Sequence, residues 1–151
     1  MDVEWYTPPE ILHSLGPFCL DPCSPVERPW DTADKHYTIF DNGLMKPWEG
    51  RVWMNPPFGA GAGVERWAER MAYHGKGIAL FPARTSSKWF QKWVFCHADC
   101  VLFLEGKIYF YRPGGVRSVN PLPIGIVLAA YGQADADILR NSGLPGVVVS
   151  L

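Results

Sequence analysis

The chain carries almost no net charge: 14 Lys and Arg stand against 15 Asp and Glu, a formal charge of -1. That balance excludes a protein that holds nucleic acid by bulk electrostatics. Any such contact must rest on a local patch or on a second subunit. No run of about 18 apolar residues occurs, so no membrane-spanning helix is expected. The amino terminus lacks the basic-then-apolar pattern of a secretory signal, and a soluble, cytoplasmic protein is the expectation. Despite 15 glycines there is no Gly-x-Gly-x-x-Gly, which removes the dinucleotide fingerprint. Cysteine is scarce. Cys19 and Cys23, and Cys96 and Cys100, are spaced Cys-x3-Cys rather than the Cys-x2-Cys of structural zinc knuckles. No metal is expected, and reduced, mostly buried thiols are the plainer reading. Charged residues make up only 19% against 48% hydrophobic, which excludes a disordered chain.

No internal repeat and no low-complexity linker interrupts the sequence, so one domain over residues 1–151 is expected. What is abundant is short apolar runs cut off by proline or glycine. The central one is Val52-Trp53-Met54, which reads as a buried strand. It stops at Asn55-Pro56-Pro57-Phe58, because two prolines cannot donate ladder hydrogen bonds. Gly59, Gly61 and Gly63 then make a loop. A polar side chain, two stiff residues and an aromatic thus sit at a strand's carboxyl end, where open α/β sheets place ligands.

Those four residues suit one chemistry. An exocyclic amine on adenine or cytosine is a poor nucleophile, because its lone pair is delocalised into the ring. Acceptors aimed at its N–H bonds favour a more tetrahedral nitrogen and stabilise the charge that develops during attack. The Asn55 side-chain oxygen and the Pro56 carbonyl are candidates for those acceptors. Pro57 stiffens the turn, and Phe58 offers a face for an extruded base. A rigid turn at a strand end is the alternative reading.

Elsewhere the pattern alternates between helix and strand. Thr7 is expected to cap a helix with Pro8 at its first position and Glu10 as capping-box partner; Gly16-Pro17 ends it. Phe18–Asp21 reads as a short strand ending in an acid, fit either to bind a cofactor's ammonium or ribose or to cap the Pro22 turn. Asp41-Asn42-Gly43-Leu44 is a turn signal. A helix is expected over Val64–Tyr73 with Val64, Trp67, Ala68 and Met71 on one face. Ile78–Phe81 reads as a strand buried on both faces, and a helix follows over Lys88–Phe95. Val101–Leu104 is a further strand, and Lys107–Tyr111 alternates as in a hairpin. Ile124–Tyr131 is a strand, Ala134–Asn141 a short helix and Val147–Leu151 a terminal strand. Arg84, in the loop after Ile78–Phe81, is a candidate phosphate or base contact, and Arg112 and Arg117 lie in a basic loop. The fold class expected is α/β with a compact, mostly parallel twisted sheet.

Six pieces of this sequence, in order, resemble the phage-type DNA N6-adenine methyltransferases, the Dam-like family. They are Thr7-Pro8-Pro9-Glu10, Leu20-Asp21-Pro22-Cys23-Ser24, Asp41-Asn42-Gly43-Leu44 with Trp48, Asn55-Pro56-Pro57-Phe58, Pro82-Ala83-Arg84-Thr85 with Trp89-Phe90, and Glu105–Phe110. The resemblance implies a Rossmann-like fold that uses S-adenosylmethionine to methylate adenine N6 in DNA, in a bacterial or phage-infected cell. It implies Asn55, Pro56, Pro57 and Phe58 as the catalytic motif. It implies Tyr6, Thr7, Pro8, Asp21, Pro22, Asp41 and Asn55 as cofactor contacts, and DNA as the partner of Arg84, Thr85, Lys107, Arg112 and Arg117. No separate target-recognition domain fits this length, which admits a homodimer. Cytosine N4 or another planar amine is a second reading, and a silent DNA-binding protein of the same fold a third. Pro22-Cys23 matches the nucleophile of cytosine-C5 methyltransferases, but thiolate attack would leave Asn55–Phe58 unexplained.

Overall fold

The computed structural model describes residues 6–57, 61–112 and 115–151. Nine strands and three α-helices are found among them. In chain order these are α1 (Pro9–Leu15), β1 (Leu20–Asp21), β2 (Lys35–His36), β3 (Val52–Met54), α2 (Val64–His74), β4 (Gly77–Pro82), β5 (Cys100–Leu104), β6 (Tyr111–Arg112), β7 (Val116–Arg117), β8 (Ile126–Tyr131), α3 (Gln133–Arg140) and β9 (Gly146–Ser150).

Seven strands form one sheet in the order β2-β1-β3-β4-β8-β5-β9. β2, β1, β3 and β4 pair in parallel, whereas β8 is antiparallel to both β4 and β5, and β9 is antiparallel to β5. Strand direction is therefore mostly shared, since β5 again runs with β4, but the sheet is mixed rather than purely parallel. The Lys107–Tyr111 segment does not pair with β5, whose two edges are taken by β8 and β9. The hairpin lies further on, between β6 and β7, with Tyr111 opposite Arg117.

The sheet is buried on both faces, as the uninterrupted apolar run Ile78–Phe81 requires. Along β4, Ala79 and Phe81 face one core with Met71 of α2. Ile78 and Leu80 face the other with Leu12 of α1 and Leu139 of α3. The segment expected as a helix after β4 runs as a π-helix over Phe90–Phe95, and buries Phe90, Trp93 and Val94 against the first core. Gly77 opens β4 at φ 139°, and a Cβ there would stand 2.1 Å from the Val52 carbonyl oxygen. Only glycine allows β3 and β4 to start side by side at that point. Among the described residues no helix is long and apolar enough to cross a membrane.

Candidate active site

The chain leaves β1 for β2 on one side, then returns past β1 to form β3 on the other. The direction of winding thus reverses between β1 and β3. Open α/β sheets bind ligands in the crevice outside such a point. A cavity of about 250 Å³ lies there, lined from the end of β1 by Asp21 and Pro22 and from the end of β3 by Asn55, Pro56 and Pro57. Tyr6 and Thr7, entering α1, close one wall.

Thr7 departs from its expected role. The N-cap of α1 is Pro8, with no side-chain capping bond. Thr7 is buried, and its hydroxyl oxygen accepts a hydrogen bond from Asn55 Nδ2 at 3.1 Å. The amide nitrogen is committed to Thr7, so the Asn55 oxygen lies on the opposite branch of the amide. The Asn55 backbone N–H faces the Cys23 sulfur and favours its ionised form. The side chain expected to hold an amine is therefore positioned by Thr7, from an earlier segment of the chain.

Asp21 is the acidic group of the cavity. It is 3% exposed, and burial lifts its carboxyl from 3.8 to about 6. Hydrogen bonds from Thr32 Oγ1 and the Cys23 N–H, and the charge of Arg28, pull the other way without cancelling burial. A buried carboxylate with lone pairs to spare is a natural seat for a cation. Cys23 is a different case. Burial, and then the Asp21 charge, push its thiol well above its ordinary range, despite the Asn55 contact. A thiol held neutral in this way is a poor nucleophile, which weighs against the Pro-Cys reading.

Not every expected residue lies in the cavity. Pro8 is buried at the start of α1, outside the lining. Asp41 is exposed and spends its carboxylate on its own turn, where Oδ2 accepts the Thr38 N–H at 2.8 Å. Its neighbours Asn42 and Gly43 line the cavity instead. Asn42 takes the left-handed conformation at φ 55°, and Gly43 is forced by a close approach, since a Cβ there would be 2.0 Å from the Pro22 carbonyl oxygen. Phe58 lies outside the described residues.

Other lining residues carry no motif. Arg28, Trp30 and Thr32 come from the loop between β1 and β2, and Trp53 and Trp67 from β3 and α2. One signal could have found the first three: in a sheet that reverses at β1, the loop leaving β1 borders the ligand, so its polar residues are all candidates.

The basic candidates share the cavity's edge of the sheet. Arg84 is exposed and Thr85 half-buried just after the carboxyl end of β4, the strand that pairs with β3. The register Pro82–Ile126 sets the start of β8 at that same end. Residues 105–125, which join β5 to β8, therefore begin and end on the cavity's edge. They carry Lys107, Arg112 and Arg117, all exposed. Arg117 lies over the Tyr109 ring at 4.5 Å. Tyr111 pairs with Tyr6 of the cavity wall and meets Trp30 edge to face.

No curated protein and no solved structure matches the chain. A family model does: DNA N-6-adenine-methyltransferase (Dam), over residues 2–129. That match covers well over half of the 151 residues, from the wall before α1 through the cavity and most of β8, and the chain belongs to the Dam family of DNA N-6-adenine-methyltransferases.

Proposed function

We propose that the protein transfers a methyl group from S-adenosylmethionine to the N6 amine of an adenine flipped out of DNA, on a single Rossmann-like methyltransferase domain. The observation that carries this reading is the convergence of Asp21 and Asn55-Pro56-Pro57 on one cavity at the reversal point of the sheet. The residues there fit the cofactor. Its amino-acid end bears an ammonium, and Asp21 is a buried carboxylate that forms no salt bridge among the described residues. Bound there, S-adenosylmethionine supplies an electrophilic methyl group.

The rest follows from the chain's own groups. Asp21 seats the ammonium. Tyr6, Thr7 and Pro22 close the wall around that end. The Asn55 oxygen and the Pro56 carbonyl accept from the two N–H bonds of the target amine. That draws its lone pair out of conjugation and stabilises the positive charge as the new bond forms. The amine proton leaves to water after transfer. Holding amine and methyl in line supplies most of the remaining rate, and no covalent enzyme intermediate is required. Phe58, next in the motif, is proposed as the stacking face for the base. Arg84, Thr85, Lys107, Arg112 and Arg117 are proposed to follow the DNA backbone along the sheet edge, and a second copy of this near-neutral chain would extend that surface.

Asn55→Ala is the direct test. It should lower methyl transfer to DNA by at least about 100-fold, the scale of losing one preorganised hydrogen-bonding group, while cofactor affinity and melting temperature change little. Transfer that persists in this variant would remove Asn55 from the amine-holding role.

A further inference from the structure

The cavity holds donors that its own wall does not satisfy. Arg28 Nε–H and the indole Nε1–H of Trp53 are both buried, and neither has a hydrogen-bond partner among the described residues. Both residues line the cavity, and Trp53 is fully buried. Both groups are donors only, so whatever completes them must present acceptors. At a guanidinium the acceptor of choice is an anionic oxygen.

Arg28 is well placed to take one. Its Nη1 donates to the Pro25 carbonyl at 3.3 Å, which anchors the head group to the loop leaving β1. Its ion pair with Asp31 is loose, at 3.6 Å, and Asp31 is 79% exposed. A pair of that kind is screened by water and leaves the guanidinium charge largely uncommitted. Arg28 also stands near enough to Asp21 for its charge to act on that carboxyl. One cavity is thus lined by both a buried carboxylate and an under-used guanidinium. An α-amino acid carries the complementary pair, an ammonium and a carboxylate on one carbon.

We infer that Arg28 binds the α-carboxylate of the cofactor's amino-acid end and makes the site selective for a sulfonium that retains that carboxylate. This rests on the cofactor proposed above and names a specificity residue within the same cavity. A DNA phosphate is the other source of anionic oxygen. It is the weaker candidate, because the Arg28 side chain is only 25% exposed and shares its cavity with Asp21, whose charge would repel a backbone phosphate.

Calorimetry on the full chain tests this with S-adenosylmethionine, its decarboxylated form, and a DNA duplex titrated in the presence of cofactor. The wild-type protein should bind the decarboxylated form at least about 10-fold more weakly, the scale of one charge-assisted hydrogen bond. Arg28→Gln should weaken S-adenosylmethionine by a similar factor and leave the decarboxylated form unchanged, and Arg28→Lys should recover part of the loss. Equal wild-type affinity for the two forms would overturn the assignment, and that comparison needs no variant to fold. So would an Arg28→Gln protein that loses both forms equally, or one that keeps cofactor affinity and loses duplex affinity, as a phosphate contact would require. A wild-type protein that binds neither form would overturn the cofactor reading itself, and Arg28 with it.

Discussion

Thr7 and Asn55 are 48 residues apart and meet at 3.1 Å. Thr7 would look like an ordinary helix cap from its neighbours alone, Pro8, Pro9 and Glu10. Its hydroxyl instead fixes which way the Asn55 amide faces. Thr7→Val keeps the shape and removes the acceptor. We expect kcat about 10-fold lower, equivalent to about 1.4 kcal/mol, with the melting temperature and cofactor KM nearly unchanged; steady-state kinetics beside a thermal melt would check it. Asp21 gives a second prediction, through pH. Its carboxyl is raised from 3.8 to about 6 in the folded chain, chiefly by burial. The native state therefore binds a proton more tightly than the unfolded one. Without a ligand, this group's contribution to stability is greatest below pH 3.8 and is lost as pH rises through about 6. A cationic ligand works in the opposite sense, because it favours the ionised form. Cofactor affinity should fall by up to 10-fold per unit below about pH 6 and level off above it. Calorimetry across that range would read this, and Asp21→Asn should flatten the curve. An affinity independent of pH in the wild-type protein would remove Asp21 from the ammonium site.

The elements that carry the site are tied together at their far end. Arg51, just before β3, donates from Nε and Nη2 to Asp135 Oδ1, at 2.9 and 2.6 Å, from Nη2 also to the Leu15 carbonyl and from Nη1 to the Pro17 carbonyl, at the end of α1. It also lies over the Phe18 ring at 4.5 Å. Asp135, in the first turn of α3, is 1% exposed. Removing one partner of such a pair strands a buried charge, so Asp135→Ala should cost about 3–5 kcal/mol in chemical denaturation. Arg51 and Asn55 flank opposite ends of β3, so the folded fraction of that variant should retain its cofactor affinity. Strands such as Val52–Met54 and Ile78–Phe81 were legible because burial on both faces leaves an unbroken apolar run between breakers. The role of Thr7 was not, because its partner is far away in sequence. Nor was the pairing of β5 with β8 and β9, since an apolar run does not state which neighbour it takes or in which direction. Arg28, Trp30 and Thr32 belong to a loop with no periodicity, and only the winding of the sheet shows that this loop borders the cavity.

At the scale of the molecule, a formal charge of -1 must still allow an approach to DNA. The fold offers a local answer. Residues 105–125 and the loop after β4 bring Lys107, Arg112, Arg117 and Arg84 to the edge of the sheet where the cavity opens. Replacing Arg112 and Arg117 together by Gln should weaken duplex binding and reduce the steepness of its salt dependence by about two phosphate contacts, read as the slope of log affinity against log salt. Cofactor affinity should stay as it was. The family and the residues at the strand ends were legible together, because a chemical motif such as Asn55-Pro56-Pro57 is written contiguously, whereas the proposed DNA-binding edge is assembled from scattered single charges. The central claim is the identity of the methylated atom. The protein should be incubated with DNA and labelled S-adenosylmethionine, and the DNA digested to nucleosides and separated. Label in N6-methyladenine is the predicted result. Label in N4-methylcytosine or 5-methylcytosine, or no labelled nucleoside from a folded protein that binds the cofactor, would contradict it.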